Sequence, residues 1–474
     1  MSDSPIKFGT DGWRGIIADD FTFDNVRICA QAVASYLIEA GLAQRGLLVG
    51  YDARFASEDF ARAVAEVAAA NGIKAYLCSK ATPTPVISYG VLDKNAGGAV
   101  VITASHNPAQ WNGFKYKSQD GASAPTEVVA QLEKNIASII ASGKIVRKPL
   151  NEALKQGLVE YVDLEPAYRK QLARLIDVNE IKKANPWIIV DSMYGAGAGY
   201  FRMLLGDNHI TEINDQPNPT FPGMKQPEPI AVNLARLKAL VKEEKASVGL
   251  ATDGDSDRIG IIDEKGNFLT QLQVFALLAL YLLEVRGERG AIIKTITSTS
   301  MLYRLGELFN VPVHETAVGF KYVAPLMVSE NALIGGEESG GYGFRGHVPE
   351  RDALVSGLYF LDLMAKTGKT PSQLLEYLYS KVGPHYYDRT DIEFPEPERR
   401  QMAGRLKESS PASLDGVRVA KKDTFDGFRF TLDDNSWLLI RFSGTEPLLR
   451  IYAESDSPAR VSRLLELGKK LAGV

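Results

Sequence analysis

The sequence predicts an α/β protein of several units, closed by a small α+β region. Three observations predict it. Short apolar runs of strand character alternate with stretches of helical spacing. Polar loops rich in Ser, Asp or Gly stand at the ends of those runs. The C-terminal region instead carries two strand runs followed by one helix.

Asp24 to Glu39 sets Val26, Cys29, Val33, Tyr36 and Leu37 at helical spacing. Gly46 to Gly50 is an apolar run ending at Tyr51-Asp52. Ser57 to Ala70 reads as a helix with Ser57 as its cap. Ala99 to Thr103 is β-prone and leads into Thr103-Ala104-Ser105-His106-Asn107-Pro108. Thr126 to Ser142 is a further helix. These elements assign residues 1–150 to a first α/β domain, with the basic-polar stretch Lys144 to Gly157 as a connector. Residues 151–258 form a second, with strands Trp187 to Val190, ending at Asp191, and Ser247 to Thr252, ending at Asp253. The proline-rich loop Gln216 to Pro229 lies between them. A third, 259–382, starts at Ile259. It holds the apolar run Val274 to Leu283, the strand Ala291 to Ile296 and a glycine-rich loop at Gly335. Gly383 to Pro397 reads as a second connector. Residues 383–474 make the α+β domain, with strands Trp437 to Phe442 and Leu448 to Glu454 and a helix from Pro458 to Leu471.

Composition narrows the function. The chain has 474 residues, enough for several cores, with 45% apolar and 24% charged residues. Its 54 basic and 58 acidic residues leave a net charge of −4, so a nucleic-acid partner held by phosphate neutralisation is not expected. Two cysteines, Cys29 and Cys78, cannot build a disulfide framework or a four-thiolate zinc site, and both read as buried free thiols in a reducing compartment. Met1 to Gly9 lacks an apolar core before a small-residue cleavage site. The run Val274 to Leu283 is about half of a bilayer span. The expectation is a soluble cytoplasmic protein with no membrane partner. The residues are equally compatible with a monomer and a dimer.

Four loops carry chemistry. In the first, Ser105 at a strand end can act as a nucleophile or carry a phosphoryl group, and His106 can orient it or bind an anion. Lys115, in Trp111-Asn112-Gly113-Phe114-Lys115, is a phosphate ligand or, if desolvated, a general base. In the second, Asp253-Gly254-Asp255-Ser256-Asp257-Arg258, three carboxylates at alternate positions repel one another. A hard divalent cation such as magnesium relieves that repulsion. Glu264 falls at the twelfth position of an EF-hand loop begun at Asp253, but Arg258 stands where the sharp turn needs glycine, and strand-like runs flank it. A haloacid-dehalogenase-type phosphatase would show Thr or Val where Asp257 stands. In the third, Gly335-Gly336-Glu337-Glu338-Ser339-Gly340-Gly341, Glu337 and Ser339 are placed to bind sugar hydroxyls. In the fourth, Arg441-Phe442-Ser443-Gly444-Thr445-Glu446-Pro447, with Arg450 beyond, the residue types make a phosphate clamp. Taken singly, each loop also reads as an ordinary turn. Gly195-Ala196-Gly197-Ala198-Gly199 is not a dinucleotide fingerprint, because Tyr200 occupies the third glycine position.

Together the loops supply a serine acceptor, a three-carboxylate metal site, a hydroxyl-binding loop and a distal phosphate clamp. With Phe8-Gly9-Thr10-Asp11-Gly12-Trp13-Arg14-Gly15 they run in the order of the α-D-phosphohexomutases, which the chain resembles over nearly its whole length. The resemblance implies three related α/β domains and a smaller C-terminal α+β domain around a central cleft. It implies a phosphoserine at Ser105, and magnesium held by Asp253, Asp255, Asp257 and a phosphoryl oxygen on Ser105. Arg14, His106, Lys115 and Arg258 would line the transferring phosphate, and Lys321 would face the cleft. Glu337 and Ser339 would bind the sugar, and Arg441, Ser443, Gly444, Thr445 and Arg450 the other phosphate.

Gly341 stands where phosphomannomutase-like members carry histidine. Gly336-Glu337-Glu338-Ser339 and His347-Val348-Pro349-Glu350-Arg351-Asp352 resemble the phosphoglucomutase pattern, with Arg351 in place of a lysine. Asp11 stands where many glucose-specific members have serine. The resemblance implies exchange of glucose 1-phosphate and glucose 6-phosphate through glucose 1,6-bisphosphate, with mannose phosphates also open. A bisphosphate synthase on the same scaffold, a phosphatase and a non-catalytic sugar-phosphate sensor are the alternatives. The fourth domain would move on a hinge near Gly383 to Pro397.

Overall fold

The computed structural model describes residues 6–9, 11–443 and 448–474. Among the described residues the longer strands make four sheets. The first orders its strands Trp13–Ile16, Trp111–Lys117, Ala99–Ile102, Leu47–Tyr51, Ala75–Cys78 and Val159–Val162. The second runs Phe268–Leu269, Ile259–Ile262, Val248–Thr252, Ile188–Asp191 and Ile210–Ile213. The third runs Val313–Thr316, Ile292–Thr295, Ile334–Gly336 and Tyr342–Phe344. The central parallel strands are apolar on both faces, as in Leu47–Tyr51 and Val248–Thr252, because helices cover both sides of such sheets.

The three sheets share one local device. In each, a parallel strand leads into a polar loop and the chain returns antiparallel beside it. Ala99–Ile102 returns as Trp111–Lys117, Val248–Thr252 as Ile259–Ile262, and Ile334–Gly336 as Tyr342–Phe344. The three loops so made are those of Ser105, Asp253 and Glu337. Tight returns force left-handed backbone, at Ser105 (φ 52), Ser256 (φ 61) and Gly340 (φ 89). The fold is thus three α/β units with one arrangement, followed by an antiparallel α+β unit.

That fourth sheet orders Tyr386–Glu393, Leu448–Ser455, Trp437–Phe442, Phe428–Leu432, Val417–Asp423 and Ser413–Leu414. The helix Pro458–Ala472 buries Val461, Leu464 and Leu465 in the core of this unit. A small apolar cluster of Ile296, Trp437, Leu439 and Tyr452 seats it on the third unit.

Several elements differ from expectation. Ser57 is the first residue of the helix Ser57–Ala70, not its cap. Ala56 takes the capping position in left-handed conformation, and Ser57 Oγ donates to Asp52 Oδ1 at 2.9 Å. The boundary after residue 258 cuts a sheet, since Ile259–Ile262 pairs with Val248–Thr252. The boundary at 150 does the same, since Val159–Val162 pairs with Ala75–Cys78. Gly383 to Pro397 is not a free connector: Tyr386–Glu393 is a strand paired along its length with Leu448–Ser455. It reads as a loop because it alternates charged residues, as edge strands do. Val274 to Leu283 is indeed buried helix, within Gln271–Leu280 and its π-helical continuation Tyr281–Val285. No helix among the described residues is long and apolar enough to cross a membrane. Both cysteines are buried free thiols.

Candidate active site

The carboxyl ends of the first two sheets meet at Ser105. Its Oγ donates to Asp253 Oδ2 at 2.7 Å and lies 3.3 Å from His106 Nδ1. Gly254 packs so closely on this loop that a Cβ there would stand 2.6 Å from the Ser105 carbonyl oxygen. Gly195 and Gly197 have the same explanation, whereas Gly199 is open to space and takes a left-handed φ of 81. A Cβ on Gly195 would meet Gly254 O at 2.7 Å, and one on Gly197 would meet Ser256 Oγ at 2.4 Å. They bring a strand end against the aspartate loop.

Asp253, Asp255 and Asp257 are fully buried, with one oxygen of each within 4.8 Å of the others. Asp255 Oδ1 and Asp257 Oδ1 are buried with no hydrogen-bond partner. Burial, and then the charges of Asp257 and Asp255, push the Asp253 pKa well above the usual carboxylate range. Converging hard oxygen donors, orphaned oxygens and the repulsion still felt at Asp253 fit a divalent cation. Thr84 Oγ1 holds the outer oxygen of Asp255 at 2.6 Å.

Lys115 reaches the same cluster, 2.7 Å from Asp11 Oδ2, 2.9 Å from Asp255 Oδ2 and 3.3 Å from Asp257 Oδ2. Burial lowers its pKa, but these three carboxylates outweigh burial and raise it, so the free protein holds Lys115 as ammonium and not as a base. His106 behaves oppositely. Burial, then Arg258, Arg14 and Lys115, depress it well below the usual imidazole value and leave it neutral. Arg14 donates to Asn107 Oδ1 at 2.6 Å, and Arg258 to Glu228 Oε1 at 3.2 Å.

Arg351 ties the loops together. Its Nη2 lies 2.6 Å from Asp11 Oδ2 and 2.7 Å from Asp257 Oδ2, and its Nη1 donates to Glu337 Oε2 at 3.1 Å. Glu337 is buried, and burial raises its pKa against the pull of Arg351 and Arg258. Ser339 is half-buried on the same loop. Lys321 opens the helix Phe320–Ser329 with its ammonium 5.3 Å from the Tyr322 ring centroid. No hydrogen bond among the described residues joins Lys321 or Ser339 to the aspartate cluster.

In the fourth unit Arg441 donates to Asp426 Oδ1 at 2.9 Å, and Ser443 N–H donates to Leu448 O at 2.8 Å across the hairpin. Arg450 Nε lies 3.8 Å from Asp391 Oδ2. Gly444 and Thr445 lie outside the described residues. Two anchors connect this unit to the Glu337 loop. Tyr387 and Arg389 both donate to Glu338 Oε1, at 2.9 and 3.1 Å.

Sequence reasoning missed Asp52, Arg54, Thr84 and the pairing of Lys117 with Glu350 at 2.6 Å. Asp52 and Arg54 had a signal. They follow the strand Leu47–Tyr51, beside the strand that delivers Ser105, and so obey the strand-end rule that picked out Ser105 and Asp253.

A buried triad of carboxylates that could hold a cation, facing a serine hydroxyl and ringed by lysine and arginine, has the composition of a phosphoryl-transfer site. Comparison with known proteins agrees. Models of the phosphoglucomutase/phosphomannomutase alpha/beta/alpha domains I, II and III match residues 5–142, 166–266 and 271–382, and the C-terminal domain matches 402–467. The Thermococcus kodakarensis phosphoglucomutase/phosphomannomutase is 33% identical over 466 residues, 98% of each chain. A phosphoglucosamine/phosphogalactosamine mutase of Sulfurisphaera tokodaii is 29% identical over 480 residues, again 98% of each. A crystal structure from Thermus thermophilus, described as a phosphomannomutase, superposes with a TM-score of 0.86. It has 34% identity over 99% of this chain and 100% of its own. The chain belongs to the phosphoglucomutase/phosphomannomutase family of α-D-phosphohexomutases.

Proposed function

We propose that the chain is a magnesium-dependent phosphoglucomutase that interconverts glucose 1-phosphate and glucose 6-phosphate and also accepts mannose phosphates. The observation that carries the phosphoryl-transfer reading is the Ser105 hydroxyl at 2.7 Å from Asp253, beside two orphaned aspartate oxygens. Asp253, Asp255 and Asp257, with a phosphoryl oxygen on Ser105, would hold the magnesium. When bound, the ion supplies positive charge against the charge that develops on the transferring group.

The chain's own residues do the rest. Ser105 gives its phosphoryl group to a free hydroxyl of the sugar phosphate, whose proton replaces it on the departing serine oxygen, and takes the other phosphoryl group back after the bisphosphate has turned round. On return, with Asp253 committed to the cation, the neutral His106 Nδ1 at 3.3 Å from Ser105 Oγ is in reach to accept the serine proton. Lys115, held charged, stabilises anionic oxygens and can give a proton to one. Arg14 and Arg258 add charge at the mouth of the serine loop. Glu337 and Ser339 bind sugar hydroxyls, with Arg351 beside Glu337, and Lys321 faces the substrate. Arg441, Ser443, Gly444, Thr445 and Arg450 hold the phosphate that is not transferred. A clamp that recognises phosphate, not one end of the sugar, serves both orientations.

Glucose is favoured by Gly336-Glu337-Glu338-Ser339 and the His347 to Asp352 segment. Glucosamine phosphate is the second reading, favoured by the name of the Sulfurisphaera relative. Phosphorus NMR of the protein with magnesium and glucose 1-phosphate, with and without catalytic glucose 1,6-bisphosphate, tests the proposal. Glucose 6-phosphate should form rapidly. Faster turnover of glucosamine 1-phosphate would move the substrate. Bisphosphate that accumulates only with a second phosphorylated donor would make the chain a bisphosphate synthase.

A further inference from the structure

Four backbone carbonyl oxygens of the serine loop, those of Ser105, Asn107, Pro108 and Trp111, turn inward onto one guanidinium. Arg54 Nη2 donates to Ser105 O at 2.7 Å and Asn107 O at 2.6 Å. Its Nη1 donates to Pro108 O and Trp111 O, both at 3.0 Å. Its Nε lies 3.2 Å from Asp52 Oδ2, and its side chain is completely buried. The Phe221 ring covers the guanidinium, with its centroid 5.0 Å from Cζ.

Converging carbonyl dipoles repel one another, so the loop can hold this shape only around a buried cation with several donors. A guanidinium has five N–H groups in a fixed fork. An ammonium on a flexible stem cannot span four acceptors and a carboxylate at once. Asp52 locks the other side. It accepts from Ser57 Oγ at 2.9 Å, from the Arg54 N–H at 3.0 Å and from Thr103 Oγ1 at 2.5 Å, and Thr103 Oγ1 in turn accepts from the Ser105 N–H at 2.8 Å. Ser105 is therefore gripped at both its N–H and its C=O. These two grips flank the residue whose left-handed φ of 52 a serine adopts only when its surroundings impose it.

We infer that Arg54 is the positioning residue of the phosphoryl-carrying serine: it fixes Ser105 in the backbone conformation that aims Oγ at Asp253 and the cation site. The inference rests on the reading of Ser105 as the phosphoryl carrier. Arg54 acts through Ser105 and forms no part of the sugar or phosphate subsites. Its loss should therefore slow the step at the serine and leave sugar-phosphate affinity alone.

The test compares wild type, Arg54→Lys, Arg54→Ala and Ser105→Ala, each charged with glucose 1,6-bisphosphate and assayed for phosphate on Ser105 by intact mass. Rapid-quench transfer from the phosphoserine to saturating glucose 1-phosphate then gives the rate at the serine, steady state gives KM, and thermal melting reports the fold. Displacing the serine by about 1 Å is enough for a loss of about 10²-fold. Arg54→Lys should show that loss in transfer rate, with KM within about twofold of wild type and cooperative melting retained. Added guanidinium ion should restore part of the rate to Arg54→Ala and none to Ser105→Ala. Transfer at the wild-type rate in Arg54→Lys, or equal losses in rate and affinity, would overturn the inference. Loss of cooperative melting in both Arg54 variants would overturn it too, making Arg54 a folding residue. Wild-type protein that takes no phosphate on Ser105 would overturn the reading of the serine itself.

Discussion

Arg351 Nη2 stands 2.7 Å from Asp257 Oδ2, so a side chain of the third unit neutralises a carboxylate of the aspartate loop in the second. The same guanidinium holds Asp11 and Glu337 and lies 3.5 Å from Glu350. Three buried carboxylates and the half-buried Asp11 thus converge on one guanidinium, with Lys115 also at Asp11 and Asp257 and Lys117 also at Asp11 and Glu350. Arg351→Ala leaves them short of a partner and should cost about 3–5 kcal/mol of stability, as breaking buried ion pairs does. Arg351→Lys keeps the charge but loses the fork. It should fold, lose part of that stability, and raise KM for the sugar phosphate more than it lowers kcat, because Glu337 loses its anchor. Urea denaturation and steady-state kinetics check both.

The aspartate cluster makes stability depend on the cation. Asp253 binds a proton more tightly in the folded chain than in the unfolded one. Its contribution is present below an unfolded pKa of about 3.9 and is lost as pH rises through the folded value. Asp255 is held ionised, Lys115 outweighing its burial, and adds no slope above about pH 5. Cation-free protein should therefore lose stability at this site as pH rises, and the gain on adding magnesium should grow in the same direction. At a hundredfold excess over the dissociation constant the gain is about 2.7 kcal/mol. Asp257→Asn should abolish the magnesium-induced rise in melting temperature, and EDTA should stop turnover. Thermal melts across pH, with EDTA or magnesium, read the outcome.

Much of this was legible in the sequence, for physical reasons that also mark where legibility ends. Ser105, Asp253 and Glu337 stand out because chemistry on a strand-end loop needs unusual residues close together. The buried strands were visible as apolar runs. The antiparallel returns Trp111–Lys117 and Tyr342–Phe344 were not, since polar and glycine residues needed by the site interrupt their pattern. Tyr386–Glu393 was hidden by its charged edge. Arg54 and Thr84 were invisible as partners because each meets its target through tertiary contact, Thr84 with an aspartate 171 residues away. The boundary at 258 failed because the aspartate loop looks like an end, when it is a turn within one sheet.

The seam between the third and fourth units holds a half-buried charge cluster that should titrate with acid. Glu315 accepts from Arg429 at 2.6 Å, Lys294 at 2.8 Å and Tyr303 at 3.1 Å. Burial raises its pKa, but Lys294 and Arg429 overcome burial and bring it down from 4.5 to about 2. A depressed carboxylate contributes stability above its unfolded pKa and loses it as pH falls through the folded value. The window here runs from about pH 4.5 down to about 2. Burial lowers the Lys294 pKa despite Glu315, so part of the attraction only offsets desolvation. Glu315→Gln should cost about 2 kcal/mol at pH 7 and almost nothing near pH 2. Chemical denaturation at several pH values measures the difference. An equal cost at both ends of the range would place the effect in packing.

Asp426 links the proposed phosphate clamp to the third unit. Its Oδ1 accepts from Arg441 Nε at 2.9 Å and its Oδ2 from the Val318 N–H at 2.8 Å, just ahead of the Lys321 helix. One carboxylate therefore sets both the aim of a clamp arginine and the distance between the clamp and the segment carrying Lys321. Asp426→Asn keeps the size of the side chain and one acceptor but removes the charge that holds Arg441. Asp426→Ala removes both contacts. If the clamp binds the phosphate that is not transferred, Asp426→Ala should raise KM for glucose 1-phosphate about tenfold, the effect of losing one charge-assisted hydrogen bond of roughly 1.4 kcal/mol. Binding in the clamp also holds the sugar at the serine, so kcat should fall by a smaller factor. Asp426→Asn should lie between wild type and Asp426→Ala. Ser105 phosphorylation by glucose 1,6-bisphosphate should still go to completion at saturating bisphosphate in both variants, since no contact at the serine has changed. A fall in kcat with KM untouched would mean that the Arg441 loop acts on the chemical step, and the clamp would have to be sought elsewhere in the cleft.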